Sequence, residues 1–590
     1  MTLLLESSEN ILSKHFVREC PRQHVYQERL KQEIELIDHF GFAKVFLQVL
    51  DILRLADGVP HITRGSAGSS LVCYLLGISN IDPIKEGIAL ARFMNKYRTD
   101  IPDIDLDFPY NRRDEIIEKL KGLYKTRVAR ISNHVRFRES SALREAVRRH
   151  GYRQFLPKYF DVQQFPDAPE IIATAESLVG KFRGYSTHCG GVVIFDEPIK
   201  PELLLRPGQI KMDKNEVEDA GLIKIDLLCN RGFAQLLAIS DRPLEDYPEY
   251  DLATADLFCR GDVLGVTFAE SPTMMRLVKA IKPKSRRDLA LCLALVRPAA
   301  ASRGKKTAFL KKWQQTRKKT QIVFDDDAND LIKYLLKITP DEADFYRRAF
   351  TKGDEVAMAR FKKLISHLPN AATHVEDLKM MKEYSFCKSH AISYSYLVWA
   401  LAYCKVRDPK SFWHAALTHC HSMYARWVHV NEAKKAGLVL STVGKNWHRQ
   451  GDTLYDPTQT PFLFSDGYRE YQKYGYWLKK RFMPGCTTIR LGKKVRIRGL
   501  IATYRRYRSK DKRLTFITVG TSTHEYWDLV FEGNLRLHNY DMVDVEGEIR
   551  QNFNSQYVAV SKINGCKSLD RDWTMPKEAS APELSQTLTG

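Results

Sequence analysis

Between Ile101 and Asp114 the chain reads IPDIDLDFPYNRRD, so that Asp103, Asp105 and Asp107 alternate with Ile104 and Leu106. Alternation at period two is a strand signature, with the three carboxylates on one face and the apolar residues on the other. Like charges stacked along one strand repel each other. A fold that contains this strand must therefore bury its apolar face and bring a cation to its acidic one. Mg²⁺ suits the acidic face, because it takes hard oxygen ligands and keeps room for substrate phosphates. A solvated acidic edge strand is the other reading of the same spacing.

The chain has 590 residues, enough for two to four modules. With 44% hydrophobic and 11% aromatic residues it has the material for a sizeable core. Lys and Arg number 92 against 71 acids, a net charge of +21. That excess favours a polyanionic partner, nucleic acid first and an anionic membrane surface second. The eleven cysteines include no CxxC pair, and the start MTLLLESSEN is too short and acidic for a signal peptide, which points to a reducing, cytoplasmic setting. His414, His419, Cys420 and His421 lie close together, but no second Cys/His pair stands at zinc-finger spacing. No apolar run approaches the length of a membrane span.

Periodicity predicts one long helix over about Tyr26–Leu55, then a short strand, a Gly/Ser turn and a helix beginning near Gly68 within HITRGSAGSSLVCYLLGI. The basic stretch from Arg113 to Arg183 reads as helical, and strand character returns at GGVVIF and GLIKIDLL. Helical patterning resumes from about residue 233 to 440, and 441–490 reads as irregular. Five turn-separated strands follow over 492–565, the pattern of a small oligonucleotide-binding (OB) barrel. The Pro/Ser/Glu-rich tail from Lys567 reads as disordered.

A Gly/Ser turn that opens a helix presents backbone N–H groups to an anion. Gly65–Ser66 is such a turn, though it matches neither a Walker A nor a GxGxxG pattern. Strand, Gly-Ser, helix, then a strand with DxD and a later strand with one more acid is the layout of a nucleotidyltransferase palm. Asp226, in the alternating run Ile223–Asp226, supplies that third carboxylate. Three acids on neighbouring strands can hold two metal ions. Lys224 shares a strand face with Asp226, where it either pairs with the acid or meets a phosphate as a point charge. Arg92 and Arg98 flank the approach to the carboxylate strand, either as phosphate ligands or as solvated surface charges.

The chain resembles the bacterial C-family DNA polymerases, the alpha subunit of DNA polymerase III. The resemblance is carried by YQERLKQEIELIDHFGFAKVFLQVLDIL, TRGSAGSSLVCYLLGISNIDP, ARFMNKYRTDIPDIDLDFPYNRRDEII, HCGGVVI, GLIKIDLL, GVTFAESPTMM, ALVRP, EADFYRRAF and FCKSHAISYSYL, in the family's order, and by the C-terminal barrel. It implies a multi-domain α+β chain. A beta-like nucleotidyltransferase palm (1–124 and 184–232) would be interrupted by a helical thumb (125–183). Helical fingers (233–440), an irregular connector (441–490), an OB-fold β-barrel (491–566) and a disordered tail (567–590) would follow. It implies two Mg²⁺ ions on Asp103, Asp105 and Asp226, with Asp107 a neighbour rather than a ligand. Triphosphate contacts would fall on Gly65, Ser66, Arg92, Arg98 and Lys224. Those of the fingers would fall on Arg297, Arg347, Arg348, Lys352, Lys388 and His390. The expected activity is template-dependent extension of a primer 3′ end with dNTPs.

The departures from the family pattern are as specific. The palm begins almost at Met1, with no N-terminal phosphatase-like (PHP) segment, and no exonuclease segment is recognisable, so proofreading is not expected. A tandem helix–hairpin–helix region is not recognisable before the barrel. The finger block that usually reads YQEQ is FDDD (Phe324–Asp327), and the Gly expected after Arg297–Pro298 is Ala299.

For nucleic acid, Lys493–Arg513 carries ten basic residues and one acid, with aromatics interleaved. Arg505 and Arg506 would track phosphates while Tyr504 and Tyr507 stack unpaired bases of a single-stranded template. Arg127, Arg130 and Arg136 of the thumb stretch, with Lys305 and Lys306 of the basic run Arg303–Lys319, would grip primer–template backbone without reading sequence. Gln459, Phe462, Leu463 and Phe464, within QTPFLF, resemble the short peptides that dock into sliding clamps, or form an ordinary buried loop. A translesion or template-independent nucleotidyltransferase and a catalytically silent DNA-binding scaffold remain open alternatives. A phage, plasmid or repair role stays as open as a chromosomal one.

Overall fold

The computed structural model describes residues 7–97, 101–156, 160–296, 305–317, 319, 322–379, 386–441, 448–450, 453–455, 491–508, 513–521, 526–533, 535, 537, 541–552 and 555–568. The chain divides into two compact units, residues 1–229 and 230–590.

Seven strands of the first unit form one sheet: β1 (Ile62–Arg64), β2 (Ile104–Pro109), β3 (Val128–Arg136), β4 (Phe182–Ile194), β5 (Leu204–Arg206), β6 (Gln209–Ile210) and β7 (Lys224–Asn230). Their spatial order is β1-β2-β7-β4-β3-β6-β5, so the last strand in sequence lies directly beside the acidic one. β1 runs antiparallel to β2 with Arg64 opposite Asp105, and β4 antiparallel to β7 with Gly191 opposite Asp226. Ile104, Leu106 and Phe108 are wholly buried, as alternation predicts, and pack with Ile225 and Leu227 in one core. Helices α1 (Ser8–Ser13), α2 (His24–Phe40), α3 (Ala43–Ala56), α4 (Leu71–Leu75) and α5 (Arg113–Tyr124) all contribute to that core. β2 is flanked by β1 and β7 and is therefore not an edge strand.

Three expectations fail here. The single helix over Tyr26–Leu55 is two, because Gly41 adopts a left-handed conformation (φ 68°) and caps α2 through bonds to the Ile37 and Asp38 carbonyls. Helix α4 starts at Leu71 rather than near Gly68. The helical reading of Arg113–Arg183 fails at β3, which pairs antiparallel with β4. Among the described residues of that stretch, α6 (Glu139–Arg149) and α7 (Ala168–Leu178) form a separate helical pair, joined through Ala142, Ala146, Ile171 and Ala175.

Among the described residues the second unit is mainly helical between Arg231 and Lys435. Its longest helix, Lys388–Arg407, is core-like all round, with Leu397 through Ala402 at zero exposure. The connector expected to be irregular opens with a small sheet of β8 (Val439–Ser441), β9 (His448–Gln450) and β10 (Thr453–Tyr455), in the order β8-β10-β9. Residues 456–490, which include Gln459, Phe462, Leu463 and Phe464, lie outside the described residues.

The expected barrel is present: β11 (Lys494–Arg508), β12 (Arg513–Gly520), β13 (Tyr526–Glu532), β14 (Asp541–Asn552) and β15 (Ser555–Ser568) close in the order β11-β12-β13-β15-β14. Among the described residues of the barrel only β13 and β15 pair in parallel, the connectivity of an OB-type barrel. β15 continues to Ser568, so Lys567 belongs to the barrel rather than to a tail, and 569–590 lie outside the described residues. No helix among the described residues is long and apolar enough to cross a membrane.

Candidate active site

Strand β2, with Asp103 just before it, and strand β7 bring three carboxylates together: ligand oxygens of Asp103, Asp105 and Asp226 all lie within 4.8 Å of one another. The Lys224 ammonium sits between them, 2.9 Å from Asp103 Oδ1 and 2.8 Å from Asp226 Oδ2. Of the two roles open to it in the sequence, the structure shows the ion pair. Burial alone would lower the Lys224 pKa, but the two flanking carboxylates outweigh it and hold the lysine well above its ordinary range.

Asp105 is the most perturbed of the acids. Burial, then the charges of Asp103 and Asp226, push its pKa up to about 7, with Arg64 and Lys224 only partly compensating. Arg64 Nε lies 3.4 Å from Asp105 Oδ2 and 3.7 Å from Asp107 Oδ1. Asp107 is 2% exposed.

Asp105 Oδ1 and Asp226 Oδ1 are buried and receive no hydrogen bond among the described residues. Hard oxygen donors that are buried, close together and lacking a proton donor are suited to a divalent cation, so the residues present fit a magnesium site.

The Gly65–Ser66 turn abuts this cluster. Gly65 has φ +73°, and a Cβ there would lie 3.5 Å from Asp105 Oδ2. The anion-binding argument for the helix that follows needs correction. Glu33 of α2, wholly buried, accepts hydrogen bonds from the Ser70 hydroxyl (2.7 Å) and from the N–H groups of Leu71 (2.8 Å) and Val72 (3.0 Å). The start of α4 is thus already neutralised by a protein carboxylate, and any anion chemistry belongs to the turn itself.

On the other side of Asp226 stands His188, with Nδ1 3.5 Å from Asp226 Oδ1. The N–H groups of Gly190 and Gly191 donate to that same Nδ1, at 3.3 and 2.8 Å. Burial lowers the His188 pKa, only partly offset by Asp226. Gly191 is required by this packing: a Cβ there would stand 2.6 Å from Ile131 Cδ1 and 2.9 Å from His188 Nδ1.

Arg130, expected on the DNA backbone, instead donates to the carbonyls of His188 (2.6 Å) and Cys189 (3.2 Å), where Arg113 also donates to Cys189 (3.0 Å). It holds the irregular stretch of β4 beside Asp226. Arg127 and Arg136 are exposed, on the turn before β3 and at its end, with single hydrogen bonds to the Asp196 and Gly180 carbonyls.

Arg92 is half-buried at the end of a one-turn 3₁₀ segment, Leu90–Arg92, while Arg98 and Arg297 lie outside the described residues. Arg347, expected at the triphosphate, is 4% exposed and pairs with Asp344 (2.7 Å) and Asp325 (3.9 Å), so it ties the helix Pro340–Lys352 to Asp325–Leu336. Arg348 is half-buried and Lys352 exposed on that same helix. Lys388 is held below its ordinary range by burial, partly countered by Asp326, and its backbone N–H donates to Asp326 at 3.1 Å. His390 stacks on Tyr394 at 4.7 Å.

Lys305 and Lys306 open the helix Lys305–Thr316. On the barrel, Arg505, Arg506 and Tyr507 are exposed, whereas Tyr504 is half-buried against the barrel core. Arg496 and Arg498 of that strand both donate to Asp544, whose single charge offsets one of theirs. The four-residue cluster His414, His419, Cys420 and His421 does not assemble. Cys420 instead faces Glu270 and His429.

Sequence reasoning missed Arg64, His188, Arg29 and Glu33. For Glu33 a signal existed: it falls within the stripe Tyr26, Leu30, Ile34, Ile37, where α2 is otherwise apolar.

The family model for the bacterial DNA polymerase III alpha NTPase domain matches residues 3–160 and 157–229, and that for the finger domain of the same subunit matches 235–370. The chain belongs to the bacterial DNA polymerase III alpha family. Among relatives, an error-prone DNA polymerase of Dechloromonas aromatica is 28% identical over 449 residues, 65% of this chain and 44% of the relative. Another, from Methylococcus capsulatus, is 28% identical over 502 residues, covering 74% and 48% respectively. The DNA polymerase III subunit alpha of Aquifex aeolicus is 29% identical over 481 residues, 67% of this chain and 41% of the relative. The chain therefore spans less than half the length of these family members.

Proposed function

We propose that the chain is a DNA-directed DNA polymerase that extends a primer 3′ end on a template with dNTPs, with Asp103, Asp105 and Asp226 as the metal-holding carboxylates. The observation that carries this reading is their convergence, with two buried oxygens lacking a proton donor and Lys224 as internal counter-charge. Two magnesium ions on these acids would supply Lewis-acid activation of the 3′-hydroxyl and neutralise the triphosphate.

The chain's own residues do the positioning. Lys224 keeps Asp103 and Asp226 together against their mutual repulsion. Arg64 steadies Asp105 from the neighbouring strand. The Gly65–Ser66 turn lets substrate phosphates approach the carboxylates closely, since no side chain at Gly65 stands in the way. Arg113 and Arg130 fix the irregular stretch of β4 that sets His188 against Asp226. Exposed Arg505, Arg506 and Tyr507 on the barrel suit a single-stranded template.

A second reading, synthesis with relaxed nucleotide selection, is favoured by the FDDD segment. Asp325 and Asp326 are 1% and 6% exposed and face Arg347 and the Lys388 N–H rather than solvent. The name of two of the relatives above, error-prone DNA polymerase, points the same way.

Metal-dependent nucleotide binding separates an enzyme from a scaffold. Titrating a fluorescent dNTP into the purified chain should give saturable binding with Mg²⁺ that weakens at least tenfold in Asp226→Asn. Binding that ignores both the metal and the substitution would remove the carboxylate cluster from the reading.

A further inference from the structure

We infer that Arg29 and Glu33 of α2 form a clamp that positions the nucleotide-binding turn, and that they act as positioning residues for dNTP binding; this rests on the polymerase reading above. The pair lies one helical turn apart and is joined by a 2.7 Å ion pair, Arg29 at 11% side-chain exposure and Glu33 at zero. Each member grips a different set of backbone groups. Glu33 takes the Ser70 hydroxyl and the N–H groups of Leu71 and Val72. Arg29 Nη2 donates to the carbonyl of Ser69, and its Nη1 donates to the carbonyl of Ile88 at 3.3 Å.

One buried pair therefore fastens two separate segments to a helix of the core. The first, Ser69–Val72, is the end of the Gly65–Ser66 turn, where a Cβ on the glycine would stand 3.5 Å from Asp105 Oδ2. The second, at Ile88, leads straight into the 3₁₀ segment that ends at Arg92. The Ser70 hydroxyl extends the network by accepting the Cys73 N–H at 3.0 Å.

A purely structural ion pair has no need of this arrangement. Burying a carboxylate and a guanidinium costs more than an apolar pair of similar volume would. What these two charges add is directionality: five hydrogen bonds to two loops set the spacing between segments that would bracket a triphosphate. A neutral isostere at position 33 can accept from only one side of its amide, so Leu71 or Val72 loses its partner.

The test compares Glu33→Gln and Arg29→Lys with Ile34→Ala, a core truncation on the same helix that takes no part in these five hydrogen bonds. Single-nucleotide incorporation should show the dNTP KM raised about tenfold in the first two, with kcat within about threefold of wild type. Ile34→Ala should lower the melting temperature at least as much and leave KM unchanged. Glu33→Asp should recover part of the loss. Hydrogen exchange reads the same clamp without turnover: the amides of residues 69–72 should exchange more than tenfold faster in Glu33→Gln and stay protected in Ile34→Ala. An unchanged KM in Glu33→Gln, or unchanged exchange there, would overturn the inference. If the wild-type chain itself incorporates nothing, the polymerase reading fails, and the exchange result still decides whether the clamp exists.

Discussion

Replacing Asp105 by Asn is expected to abolish primer extension, by at least about 1,000-fold or roughly 4 kcal/mol of barrier, while leaving the protein folded. Asn keeps the shape but removes the charge from the acid that lies closest to the Gly65 turn. The same substitution has a second, opposite effect that tests the electrostatics independently. In the folded protein the Asp105 pKa is pushed up to about 7 from its ordinary 3.8, by burial first and then by Asp103 and Asp226. A raised folded pKa means the native state favours the proton. The resulting stabilisation is complete below the unfolded pKa and is lost as pH rises toward about 7. Asp105→Asn escapes that loss. Without metal, it should melt above wild type at pH 8 by about 1–2 kcal/mol, with the difference shrinking by pH 5. A difference that grows toward pH 5 would contradict the placement of Asp105.

Lys224→Met should produce the largest loss of stability. Lys224 is 6% exposed and bridges two acids, and Met matches its length without its charge. Removing one partner of a buried ion pair leaves uncompensated charge, which costs about 3 kcal/mol or more. Here it also leaves three carboxylates within 4.8 Å of one another. Thermal melts of the metal-free variant should fall well below wild type, and millimolar Mg²⁺ should restore most of the difference, because a ligand that binds only the folded state stabilises it. An equal response of wild type and variant to Mg²⁺ would mean that Lys224 and the cation do not answer the same charge.

What the sequence made legible follows from local chemistry. The alternation at Asp103–Asp107 and at Ile223–Asp226 is short-range and strand-like, and both runs are strands, with Ile104, Leu106 and Phe108 buried as the pattern requires. The barrel strands were legible for the same reason. β3 was not. Its pattern of burial does not alternate strictly, since Val128 and Ala129 are both buried, and its arginines mimic a basic helix. What makes it a strand is pairing with β4, a contact between residues far apart in sequence. The same limit explains Arg130, which looked like a DNA contact until the carbonyls of His188 and Cys189 came to meet it. Arg347 likewise reads as a phosphate ligand until Asp344 and Asp325 enclose it. A charge run tells how many cations a segment carries, while tertiary packing decides which of them stay available for a ligand.

The most direct measurement is single-nucleotide incorporation by the purified chain on four primer–templates that differ only in the templating base. The expected result is Mg²⁺-dependent addition of the complementary dNMP on each template, with none in EDTA. Tight DNA binding without incorporation, or addition that ignores the templating base, would contradict it.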